Sequence, residues 1–169
     1  MYNKRTEILN PIDSEEELIL QYTSLNHECV SQPFLSYVKG EMGWTSLQFS
    51  AICYLKRHNV LSMSELADMM MITRQQATQL VASLVKRGHV VREQDPDNRR
   101  MVYIRPTEMA VKGLLQVEHT FIQAIQSALD AKPAEQRRAI TDSMRTLIDL
   151  FLTTDEVGCS TMVPVYTPD

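Results

Sequence analysis

The most constraining feature of this chain is a pair of helix-start signals set close together near its middle. Ser62-Met63-Ser64-Glu65 and Thr73-Arg74-Gln75-Gln76 each place a hydroxyl three residues ahead of a Glu or Gln. In such a box the hydroxyl accepts from the third helical amide and the acidic or amide side chain reaches back to the cap. The first helix must end near Met71, and only Met71-Ile72 separates it from the second box. The second helix buries Ala77, Leu80, Val81 and Leu84, with Gly88 placed to terminate it. Two short helices joined by so tight a turn form a helix-turn-helix pattern.

The apolar period changes after Gly88. Val90-Val91-Arg92 and 101–104 are β-rich and flank Gln94-Asp95-Pro96-Asp97-Asn98, a turn composition. A hairpin with a charged tip is expected, ended by Pro106. Upstream, Thr45-Ser46-Leu47-Gln48 is a further box, opening a helix through about Arg57 with Leu47, Ile52 and Leu55 inward. Ser14-Glu15-Glu16-Glu17 opens an earlier helix with Leu18, Tyr22, Leu25 and Cys29 on one face. Pro33 should kink or break it, and Phe34, Tyr37 and Val38 carry the face on until Gly40 ends it. Thr107 caps a long helix through Leu129, and Pro133 opens a last one with Ile140, Met144, Leu147, Ile148, Phe151 and Leu152 as its stripe. From 153 to 169 no period is visible and an irregular arm is expected.

Several classes fall away. The longest apolar run is five residues, 51–55, against the ~20 a membrane-spanning helix needs. The amino-terminal residues lack the apolar stretch of a secretory signal. Cys29, Cys53 and Cys159 form no CxxC pair, and a reducing cytoplasm suits them. No phosphate-binding glycine loop, nucleophile motif or metal-ligand spacing occurs, so neither an enzyme nor a cofactor is expected. Charge is uneven: residues 56–105 hold nine basic and five acidic side chains, net +4, while the remainder holds eight and sixteen, net −8. A basic island within an acidic chain suits directed binding to a phosphate backbone, as well as a solvated charged face.

Residues 45–109 resemble the DNA-binding core of the MarR family of bacterial transcriptional regulators. Leu47-Gln48-Phe49, Ser64-Glu65-Leu66-Ala67, Leu80-Val81 with Leu84 and Gly88, and Asp95-Pro96-Asp97-Asn98-Arg99-Arg100 followed by Thr107 carry the likeness. By helix order it extends over 14–152. Ala110 stands where many members have Gly, and Gln79 where many have Arg. The implied architecture is mainly α with a small β-hairpin wing: a winged helix-turn-helix core over 45–106, flanked by dimerisation helices over 14–40 and 107–152.

The resemblance implies a homodimer that binds double-stranded DNA at a pseudo-palindromic operator, as a repressor, and leaves it when a small aromatic or phenolic effector binds. Arg74, Gln75, Thr78, Gln79, Ser83 and Lys86 occupy the polar face of the second short helix, where side chains reach base edges. Lys86, Arg87 and Arg92 are placed to meet phosphates. Arg99 and Arg100 are the candidate wing contacts, with Asp97 stabilising the wing. The long helix of 23 residues spans roughly 35 Å. A small winged core cannot cover that length, which itself favours a second copy as partner over a bundle within one chain. Tyr22, Phe34, Tyr37, Trp44 and Tyr54, with Phe49, are candidates to line an effector pocket or else core aromatics. Cys29 is a candidate redox residue, though its place on an apolar face predicts a buried, inert thiol. Thiol oxidation is thus one alternative signal, and a winged-helix protein-interaction module the alternative function.

Overall fold

The computed structural model describes residues 14–95, 98 and 101–153. Asp97, Arg99, Arg100, Cys159 and the arm after Thr153 lie outside the described residues. The elements are α1 (Glu15–Asn26), a π-helical turn (His27–Ser31), α2 (Gln32–Met42), α3 (Ser46–His58), β1 (Leu61–Ser62), α4 (Met63–Met69), α5 (Arg74–Lys86), β2 (Val90–Gln94), β3 (Val102–Pro106), α6 (Glu108–Asp130) and α7 (Ala134–Thr153).

The capping chemistry sets most of these boundaries. Reciprocal boxes form at Thr45/Gln48, Ser62/Glu65 and Thr73/Gln76. Ser14 accepts from the Glu17 amide at 3.2 Å, and Thr107 from that of Ala110 at 3.3 Å. The Ser62 backbone and side-chain bonds hold the Glu65 carboxyl below the ordinary carboxylate range.

The first helix departs from expectation at two points. Pro33 does not break it. The turn before the proline widens, and the Gln32 amide donates to the His27 carbonyl, five residues back. An inserted residue of this kind is a π-bulge, a known way to keep a helix running through a local mismatch. The helical run ends at Gly43 rather than Gly40. Gly43 is the residue with a left-handed backbone, φ 62°, which glycine adopts without steric cost.

One core joins the winged unit to the middle of the helical arms. Trp44, Ile52, Leu55, Leu66, Leu84, Ile104 and Leu114 are all fully buried in it. Phe34 of α2 meets Phe49 of α3 edge-on at 5.3 Å and Phe121 of α6 at 4.6 Å, tying the three helices together. Leu47 is a correction: it is 41% exposed, and Gln48 is buried in its place. The polar residue goes inward because its amide has two partners waiting, the Thr45 amide and the Ser83 hydroxyl, both at 3.0 Å.

The sheet has three antiparallel strands in the order β1-β3-β2. The hairpin was legible, while β1 was not, because two residues carry no period. Leu61 pairs with Ile104 and Ser62 with Tyr103, so Ser62 ends a strand and caps α4 at once.

Candidate nucleic-acid interface

The helix α5 presents two chemically opposite faces. Ala77, Leu80, Val81 and Leu84 are buried; Arg74, Gln75, Thr78, Gln79 and Lys86 are exposed. Thr73 and Gln76 satisfy the first turn between themselves, which leaves Arg74 and Gln75 outside that cap. The Thr78 hydroxyl donates to the Arg74 carbonyl at 2.8 Å. Residues 74, 75, 78 and 79 are linked by the three- and four-residue steps that share a helix face. The outward patch is therefore compact, polar and cationic at one end.

Two expected contacts are committed elsewhere. Ser83 is half-buried: its hydroxyl accepts from Gln48 Nε2 and donates to the Leu80 carbonyl at 2.7 Å, joining α3 to α5. Arg87, expected to meet phosphate, spends both terminal nitrogens on the end of α2. Nη1 donates to the Gly43 carbonyl at 2.7 Å and Nη2 to that of Met42 at 2.8 Å. Arg92 keeps an exposed side chain, with Nη2 donating to the Thr78 carbonyl at 3.3 Å, so β2 leans on α5. On the hairpin Arg105 pairs with Glu93 at 2.8 Å.

The base of the hairpin tip is fixed by three bonds. The Asp95 amide donates to the Met101 carbonyl at 3.1 Å, and the Met101 amide to that of Asn98 at 2.8 Å. The Asn98 amide donates to Asp95 Oδ1 at 2.8 Å. In the sequence Asp95 shows only as turn composition; in the structure its backbone and carboxylate organise this end of the wing.

The five candidate pocket aromatics do not share one environment. Trp44 is fully buried core, and Tyr22 is exposed on α1. Phe34, Tyr37 and Tyr54 are half-buried against the core. A shallow depression of about 470 Å³ lies instead between α2 and α6, lined by Met42, Met109, Lys112 and Gly113 among others, and takes in none of the five.

Cys29 departs from the expected burial: it is exposed, on the π-helical turn His27–Ser31, which like α1 has no buried residue. Cys53 is buried, as expected, and burial pushes its thiol up to about 12, so it carries no thiolate at neutral pH. Among the described residues no group of three or more His, Cys, Asp or Glu is arranged to hold a metal ion. No helix described is long and apolar enough to cross a membrane.

His89 lies just beyond α5, buried, its ring edge-on to Trp44 at 5.2 Å. Burial, and then the Arg87 charge, hold its imidazole below the ordinary 6.5. The unfolded chain therefore takes up this proton first as pH falls. The stability contribution is complete above about pH 6.5 and declines as pH drops from there toward the folded value. Wild type should lose more thermal stability than His89→Leu between about pH 7.5 and about pH 5; parallel losses would show that His89 is protonated equally in both states.

A buried helix-turn-helix with an exposed polar second helix and an adjoining hairpin defines a winged helix-turn-helix protein. Residues 42–101 match the MarR family model. Solved structures agree in fold. RV1404 from Mycobacterium tuberculosis superposes with a TM-score of 0.72 at 14% identity, over 83% of this chain and 97% of that one. A MarR family protein from Bacillus stearothermophilus gives 0.62 at 22% identity, over 82% and 94%. A mutant of S. aureus MepR bound to an oligodeoxyribonucleotide gives 0.66 at 16% identity, over 78% and 96%. None of the curated proteins matches the chain. Over residues 42–101 the chain is similar to the MarR family, and its fold is the winged helix-turn-helix fold of these structures.

Proposed function

We propose that this protein is a sequence-specific repressor that binds double-stranded DNA as a homodimer and is released by a small-molecule signal. The observation that carries the DNA reading is the exposed set Arg74, Gln75, Thr78 and Gln79 on a helix whose other face is core. These residue types suit base edges: Gln pairs bidentately with adenine, Arg with guanine, and the Thr methyl meets that of thymine. Lys86, Arg99 and Arg100 are assigned to the backbone or minor groove, with Asp97 stabilising the wing. Ser83 and Arg87 leave the contact set because their polar atoms already have partners within the chain.

The dimer rests on apolar surface left bare in a single chain. Leu18, Ile19 and Leu20 on α1, and Ile148 and Leu152 on α7, are each more than half exposed. Contiguous exposed apolar surface of this kind marks an interaction site. A two-fold dimer places two recognition helices on half-sites about one helical turn apart, or a multiple of it. The effector, an aromatic or phenolic molecule in this reading, enters between the arms and the winged unit, where Phe34, Tyr37 and Tyr54 are half-buried.

The test is selection of bound sequences from a random duplex pool at near-physiological salt. Enrichment of an inverted repeat is the expected result. Absence of even weak, salt-sensitive binding would move the protein-interaction reading to first place. Replacing Gln75 and Gln79 together by Ala should cut affinity for the selected duplex about tenfold or more, with little effect on a scrambled one. Equal losses on both duplexes would remove these glutamines from base reading.

A further inference from the structure

Three elements end or begin at one small joint. The tripeptide Arg87-Gly88-His89 leaves the C-terminus of α5. Arg87 donates to the last carbonyls of α2, at Met42 and Gly43. His89 packs edge-on against Trp44, the next residue of that same turn. The Gly88 carbonyl accepts the Thr107 hydroxyl at 2.8 Å, and the His89 carbonyl accepts the Thr107 amide at 2.9 Å. Thr107 caps α6. The exit of α5 is thereby tied to the end of one helical arm and the start of the other.

The chemistry of the joint is specific. A helix C-terminus carries partial negative charge and carbonyls without helical partners. Arg87 leaves the C-cap of α5 and its guanidinium bonds the negative end of α2, so one residue links the two helix ends. Its fork matches two carbonyls at once, which a lysine ammonium on a single atom does not reproduce. Gly43 is required twice over: its φ is 62°, and a Cβ there would stand 2.8 Å from Arg87 Nη2. Gly88 also has a left-handed backbone, φ 72°.

We propose that Arg87 is a positioning residue for base reading: it holds the recognition helix α5 at a fixed angle to the helical arms without touching DNA. This inference rests on the DNA-binding reading above. A recognition helix must meet base edges in register, whereas phosphate attraction tolerates tilt. Loosening the joint therefore costs discrimination first.

The experiment uses the full chain with Arg87→Ala and Arg87→Lys. Binding is titrated over a salt series against the duplex selected by wild type and a scrambled duplex of equal length. Trp44 is the one tryptophan of the sequence, so its emission reports on the joint in the DNA-free protein. The expected result is an affinity loss of about tenfold on the selected duplex alone, in both variants, with an unchanged salt slope. Trp44 emission should shift to the red in both. Equal losses on the two duplexes, a salt slope smaller by about 0.9, and restoration by lysine would make Arg87 a phosphate contact instead. Retained discrimination in either variant, or an unmoved Trp44 emission, also overturns the proposal. If wild type itself selects no sequence, the DNA reading has failed; Trp44 emission in the two variants then decides whether Arg87 holds the joint.

Discussion

Arg99→Ala weakens binding to the selected duplex at least tenfold at fixed salt, read by fluorescence anisotropy of a labelled duplex. The expectation comes from what holds the wing. Asp95, Asn98 and Met101 bond to one another at the base of the tip, on either side of the position Arg99 occupies in sequence. Below them, β2 and β3 stay paired from Gln94–Val102 down to Val90–Pro106, and Arg92 braces β2 against α5. The described part of the hairpin is thus tied to α5. An arginine at the tip can enter the minor groove beside the half-site, where a narrow A/T-rich groove concentrates negative potential. Loss of one such contact at the middle to upper part of the usual range, about 1.4–3 kcal/mol, is roughly tenfold to 150-fold in affinity. Arg100→Ala provides the comparison. A backbone contact there weakens selected and scrambled duplexes alike and lowers the salt slope by about 0.9. Unchanged affinity in Arg99→Ala would sink the wing assignment. If Arg99 serves mainly as an ion-pair partner of Asp97, Asp97→Ala should reproduce its loss.

The helix-turn-helix was legible because its signals are local. A hydroxyl followed three residues on by a side-chain amide or carboxylate marks a helix start wherever it falls, and three such boxes form. The polar face of α5 was legible for the same reason, since its buried side repeats at helical steps. What the sequence concealed depends on partners far along the chain. Arg87 looks like a phosphate ligand until Met42 and Gly43 are seen 45 and 44 residues upstream of it, at bonding distance. Ser83 looks like a surface polar residue until Gln48 reaches it from α3. Leu47 and Gln48 exchange their expected environments because a satisfied amide can be buried at little cost. Pro33 is a local case instead. Its rule of breaking helices is right for a regular ladder, and the π turn ahead of it changes the ladder. Cys29 and the stripe of α1 were legible as one face, but a face is buried only when something lies against it, and among the described residues none of this segment is buried.

Trp44→Ala destabilises the protein by about 3–5 kcal/mol, the range for truncating a fully buried large aromatic. Whole domains of this size are stable by only about 5–15 kcal/mol, so the variant should lose a large part of its margin. Several features place Trp44 at the upper end. It has no exposed surface, so the full side-chain volume becomes cavity. It sits between α2 and α3, touches His89 beyond α5, and lies under α6, where a Cβ on Gly113 would stand 3.5 Å from its ring. Four elements would have to move together to close the space, and the Arg87 fork and the Thr107 bonds resist that movement. Relaxation is the only route to a small effect, and here it is tied down. Leu47→Ala is the control, a larger aliphatic residue of the same segment that is 41% exposed, with an expected change within roughly 0.5 kcal/mol. Urea unfolding at one protein concentration measures both, so that any self-association affects the two variants alike. Equal midpoints for the two variants would mean that the junction of arms and winged unit adds nothing to the core, and the positioning role of Arg87 would lose its foundation with it.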